Sequence, residues 1–147
     1  MKTRTRLLAV VFGVLALAAF KPFGHGPWGK PSPERMAKMA TERVNDAMDE
    51  LDATPAQRTR VNEMKDVLLK EGTRIHGENK EARKEVLTQW ESEKPNAVRV
   101  HELVDERADV IRALLHQVAD YGLELHQLLT PEQRAKVTAR VKEHTQE

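Results

Sequence analysis

The chain has 147 residues, of which 32% are charged and 4% aromatic, with seven glycines, no cysteine and a formal charge of +1. Such a composition describes one small, all-helical domain. The lack of cysteine excludes disulfide staples, a lipid-modified cysteine, thiolate metal sites and cysteine nucleophiles, so an exported form must hold together by packing or by association.

Lys2, Arg4 and Arg6 precede an unbroken run of apolar and small residues from Leu7 to Phe20. These fourteen residues fall short of the ~20 that a helix needs to cross a bilayer, and Ala16-Leu17-Ala18 offers the small side chains that a signal peptidase reads. Residues 1–19 are therefore expected to be a signal peptide, cleaved after Ala18 or Ala19. The mature protein would be periplasmic with no stable membrane insertion; an uncleaved N-terminal anchor is the alternative. Cleavage leaves 21 basic against 23 acidic residues, a formal charge of −2, which argues against nucleic acid as a partner.

Residues 20–32 read as a flexible arm, since Lys21 to Pro33 holds four prolines and three glycines. Gly24-His25-Gly26-Pro27-Trp28-Gly29 matches the dinucleotide fingerprint G-x-G-x-x-G in letters only. No mature strand precedes it, and Pro27 interrupts the turn into a helix that a bound pyrophosphate requires. His25 and Trp28 would give the arm at most a weak metal or client contact.

Residues 33–147 are expected to form a four-helix domain. Ser32 and Pro33 start a first helix to about Glu50, whose stripe of Met36, Ala40, Val44, Ala47 and Leu51 is flanked by Met39 and Met48. Methionine pairs such as Met36 and Met39 suit soft Cu(I), but adaptable packing is the preferred reading. A second helix from Pro55 to about Glu91 begins with Val61, Met64 and Leu68 inward and resumes its stripe at Ala82, Val86 and Trp90. Between them, Asn79 falls on the apolar phase, and Gly72 and Gly77 each cost about 1 kcal/mol of helix propensity relative to alanine. The middle should bend, or else the helix breaks in two.

Glu91 to Pro95 supplies a turn, and a third helix runs from about Asn96 to Leu128. Val104, Ile111, Leu114, Val118, Tyr121, Leu125 and Leu128 keep a seven-residue beat, broken only at Arg107, which predicts coiled-coil-like packing. Folding it back on the second helix would place Arg83 and Lys84 opposite Glu102 to Asp105, and Lys80 opposite Asp109. Such exposed pairs set register more than stability. The last helix, Pro131 to about His144, has only Val137 and Val141 on its apolar face and must dock to persist. Stripes this thin predict a dimer.

Two helix starts share one pattern. Leu129-Thr130-Pro131-Glu132-Gln133 is a complete capping box, with Thr130 as N-cap, Pro131 at the first helical position and Gln133 reaching back to the Thr130 N–H. Ala53-Thr54-Pro55-Ala56-Gln57 repeats it, except that Ala53 stands where the leucine should be and Leu51 lies two residues earlier. A pair of L-T-x-x-Q boxes around a helical hairpin, behind an export signal, resembles the Spy/CpxP family of periplasmic stress proteins and its heavy-metal-resistance relatives. The likeness covers roughly residues 33–143. It implies a long, bent helical hairpin with short flanking helices, paired as an antiparallel homodimer. It also implies ATP-independent binding of unfolded or stressed envelope proteins, or restraint of a sensor kinase; the alternative is a periplasmic heavy-metal sensor or metal-binding resistance protein.

Catalysis finds little support. The only serines are Ser32, a cap, and Ser92, in the turn, and neither has a histidine nearby in sequence, so no enzyme activity is expected. Metal ligands are the closer question. His101/Asp105 and His116/Asp120 are each four apart on the third helix, where an imidazole and a carboxylate can share a divalent ion. Helical phase turns His116 and His126 outward, with His76 on the second helix, and solvated histidines are the preferred reading. No cofactor is expected; zinc or copper would be the ion if one binds. In the family's nickel and cobalt sensors, the resemblance implies a His and a Met four apart on the third helix, completed by histidines of the first. Tyr121 and Leu125 stand at those positions here, and the first helix has no histidine. For client binding the candidates are Met36 and Met39, with Arg74, Lys80, Arg83 and Lys84 supplying charge.

Overall fold

The computed structural model describes residues 32–145; the expected signal peptide and arm, with His25 and Trp28, lie outside the described residues. All regular structure among those residues is helical: α1 (Pro33–Glu50), α2 (Pro55–Glu91), α3 (Ala97–Leu128) and α4 (Pro131–Thr145). These bounds follow from the local chemistry. Ser32, Thr54 and Asn96 each accept a hydrogen bond from the backbone N–H three residues on, and Pro33, Pro55 and Pro131 open helices where no donor is lost. Asn96 is the N-cap of α3 rather than its first residue.

Where α1 ends, Leu51 caps it and Asp52 adopts a left-handed φ of 51°. The Asp52 N–H donates to Asp49 O and the Ala53 N–H to Met48 O, which closes the last carbonyls of α1 and turns the chain straight into the Thr54 box.

α2 and α3 form an antiparallel hairpin, and α1 packs on the first half of α2. α2 is unbroken over 37 residues, about 55 Å at 1.5 Å per residue, so the two-helix alternative is excluded. The buried core sits at one end. Val44, Ala47, Met48, Leu51, Ala53, Val61, Leu125, Leu129 and Val137 form one cluster, with Leu128 packed against it. That end is the base; the hairpin projects from it as a two-helix arm.

Several expected stripe positions are corrected. On α3 the inward residue is Leu103, buried, whereas Val104 is 60% exposed. The slip arises because Arg107 occupies the inward line there, leaving no apolar residue to fix the phase. On α2, Ile75 is buried, while Val86 and Trp90 are exposed, Trp90 to 83%; both have turned off the face that meets α3. Met48, expected to flank the α1 stripe, is fully buried, and Met36 and Met39 are exposed. Val137 docks α4 into the core, but Val141 is exposed.

The charge ladder exists with other rungs. Arg99 of α3 binds Glu85 of α2 at 2.6 and 3.0 Å, Arg107 binds Glu78 at 3.0 Å, and Arg60 binds Glu124 at 2.5 and 2.9 Å. In the first two the cation comes from α3 and the anion from α2, the reverse of the expected Arg83, Lys84 and Lys80 pairs; Arg60–Glu124, in the base, keeps the cation on α2. Lys84 turns back to Glu81 of its own helix, and Glu102 pairs with Arg99.

Candidate functional site

The two capping boxes, 76 residues apart, meet at the centre of the base. Each closes on itself as its residues dictate. Thr54 N–H donates to Gln57 Oε1 at 2.9 Å while Gln57 N–H donates to Thr54 Oγ1 at 3.2 Å; for Thr130 and Gln133 the distances are 2.9 and 3.3 Å.

The glutamines then interlock. Gln57 Nε2 donates to Gln133 Oε1 at 2.9 Å and to Leu128 O at 2.8 Å. Gln133 Nε2 answers to Gln57 Oε1 at 3.2 Å and to Leu51 O at 3.0 Å. Each amide oxygen therefore accepts from its own N-cap and from the other glutamine, and each amide nitrogen uses both hydrogens. Both side chains lie in the buried base, 6% and 8% exposed, where an unpaired amide would be costly and a fully paired one fixes a single arrangement. Ala53 and Leu129, the residues before the two threonines, share the same core cluster.

The residue after each glutamine completes the repeat. Arg58 reaches back to Ala53 O at 3.0 Å and Met48 O at 3.1 Å, and pairs with Asp49 at 2.6 Å. Arg134 reaches back to Leu129 O at 2.7 Å and His126 O at 3.0 Å. Each arginine thus places its charge on the carbonyls at the end of the preceding helix, where a cation is favoured. The unit is Thr-Pro-x-Gln-Arg, twice, and the second Gln-Arg was the available signal for this pairing.

Two further contacts seal the base. Lys65, largely buried, donates to Thr41 Oγ1 at 2.8 Å and to Asn62 Oδ1 at 3.1 Å, pinning α1 to α2. Lys136 of α4 donates to Glu50 O at 3.2 Å and to Asp52 at 2.9 Å; its hydrogen bond holds the Asp52 carboxyl below its ordinary pKa.

The arm is polar by contrast. Arg99 also binds Glu106 at 2.9 Å, and Arg74 is held by Glu71 and Glu78 of its own helix. These guanidiniums lower the carboxyl pKa values they touch: Glu85 through Arg99, Glu78 through Arg107 and then Arg74, and Glu71 through Arg74. Arg107 Nε is buried with no hydrogen-bond partner among the described residues.

The metal candidates are not brought together. His101, Asp105, His116 and Asp120 are all exposed, and among the described residues no three His, Asp or Glu side chains converge on a point that could hold an ion. Of the two positions that the resemblance sets against sensor ligands, Tyr121 is half-buried and Leu125 is 4% exposed, with Leu125 part of the apolar core. Of the client candidates, Arg74 and Lys84 are tied to glutamates of α2. Lys80, Arg83, Met36 and Met39 face solvent.

Among the described residues, no helix is long and apolar enough to cross a membrane. Compared with known families, the chain matches heavy-metal resistance over residues 7–136. No curated protein and no solved structure gives a significant match.

Proposed function

This chain belongs to the heavy-metal resistance family, and from that membership we propose that it is an exported, non-enzymatic protein that meets heavy-metal ions in the periplasm as a sensor or buffer. The observation that carries this reading is the extent of the family match, which takes in both boxes and the whole hairpin. The interlocked glutamines hold the base in one arrangement; the exposed α3 supplies donors.

The donor set fits a divalent ion in part. His101/Asp105 and His116/Asp120 each present an imidazole and a carboxylate one turn apart and accessible to solvent. Two ligands fall short of the three or four that make a tight zinc site. Each pair alone would hold zinc or copper weakly and exchangeably, as a buffer requires, and a sensor-grade site would need ligands from a second copy. An antiparallel homodimer, as the family resemblance implies, is the arrangement that could bring them.

A second reading has its own observation. Val86, Leu87, Trp90 and Val98 are exposed at the free end of the hairpin, with Lys80 and Arg83 exposed on the same stretch of α2. A mixed apolar and cationic surface suits weak, promiscuous contact with unfolded or stressed envelope proteins, without ATP, or with a sensor kinase.

Calorimetric titration of the mature protein with zinc and copper, run beside an aggregation assay on an unfolded client, separates the two. The metal reading expects saturable binding that His101→Ala and His116→Ala weaken. Suppression of aggregation with no uptake of any metal would replace it with the chaperone reading.

A further inference from the structure

The base and the arm are built by different physics, and the boundary falls on two glycines. Of the buried apolar residues among those described, Ile75 and Leu103 alone belong to the arm; the others lie in α1, the first turns of α2, the end of α3, α4 and the two connections at Leu51, Ala53 and Leu129. What joins α2 to α3 in the arm is chiefly ionic, the Arg99–Glu85 and Arg107–Glu78 bridges. Between them an open groove runs past Ala82, Glu85, Arg99 and Leu103, and Arg107 Nε is left orphaned. Both bridges are partly open to solvent, where salt screens an ion pair.

The position of α1 locates the boundary. Thr41 meets Lys65, and α1 runs antiparallel to α2 from its start at Ser32. Nine residues at 1.5 Å each, about 14 Å, bring the start of α1 level with the stretch just past Gly72. Beyond that level, among the described residues, α2 has α3 alone beside it. There α2 carries Gly72 and Gly77, and a Cβ at either would meet nothing within 4 Å. No close approach demands glycine at these sites, yet each weakens the helix by about 1 kcal/mol relative to alanine, and helices kink where such residues interrupt the propensity.

We propose that the arm is a lever, swinging on the Gly72–Gly77 segment of α2 while the interlocked glutamines keep the base shut. Swinging moves Trp90, Leu87 and Val98 relative to the base and changes which apolar surface the molecule presents. The Arg99–Glu85 and Arg107–Glu78 bridges clamp α2 against the unbroken α3 within the arm, so raised salt frees α2 to bend at its glycines.

Because the chain lacks cysteine, spin labels go only where they are placed. Thr59→Cys and Glu91→Cys sit near the two ends of α2, and Asp46→Cys with Ala135→Cys forms a control pair within the base. Pulsed dipolar spectroscopy on the mature protein should show a broad Thr59–Glu91 distance distribution that broadens with salt and narrows in Gly72→Ala/Gly77→Ala, while the control pair stays narrow throughout. A narrow, salt-independent Thr59–Glu91 distribution in the unsubstituted background, or an equally broad one in the alanine variant, would overturn the proposal.

Discussion

Gln57 and Gln133 show why a capping residue can matter beyond its own helix. A threonine N-cap is worth about 0.5–2 kcal/mol, and Thr130→Ala should cost that much in chemical denaturation. Gln57→Ala or Gln133→Ala should cost more, about 3 kcal/mol, because each also strands a buried partner amide and a buried carbonyl. Equal losses for the threonine and glutamine variants would mean that the interlock adds nothing to the caps. The caps themselves were legible, since each is a local pattern with a fixed offset. Their meeting was not, because two residues 76 apart can both be read as surface caps until the helices between them are folded back. Arg58 and Arg134 were overlooked for a similar reason: an arginine after a capping box reads as solvated, and only the turn geometry points it back onto Met48 O and His126 O.

At the scale of the helix, pH and glycine substitution report on the arm. Glu78 and Glu85 are held below their ordinary pKa of 4.5 by Arg107 and Arg99, and Glu124 in the base likewise by Arg60. A carboxyl whose folded pKa is depressed contributes stability that is complete above its unfolded value and is lost as pH falls through the folded one. The denaturation midpoint should therefore be level from pH 7 to about 5 and decline below pH 4.5, with Glu78→Gln/Glu85→Gln flattening part of the decline. Gly72→Ala and Gly77→Ala should each raise stability by up to about 1 kcal/mol, since neither added methyl meets an obstacle. A loss at either site would show that the backbone there is not ordinary helix. Helix starts, ends and the turn were legible because Ser32, Thr54, Thr130 and three prolines mark them. Phase within the arm was not, because Ile75, Leu103 and Arg107 lie on inward lines too polar to distinguish from their neighbours by period alone.

For the whole molecule, the sequence revealed an all-helical hairpin with short flanking helices, but not that the core gathers at one end. A continuous stripe was read along α3 and an interrupted one along α2; burial concentrates where α1 and α4 add their own apolar residues, and much of the remainder is left exposed. Those exposed residues predict association, and sedimentation of the mature chain at micromolar concentration should show a dimer; a monomer at high micromolar concentration would contradict it. In the proposed role the interlocked base supports an α3 whose exposed His101/Asp105 and His116/Asp120 pairs meet heavy-metal ions, and the metal tolerance of living cells tests that most directly. Cells lacking the gene, given back the full chain, should survive higher zinc or copper than cells given Gln57→Ala/Gln133→Ala, with His101→Ala/His116→Ala falling between. Tolerance that is unchanged by the full chain for every heavy metal tried would contradict the account.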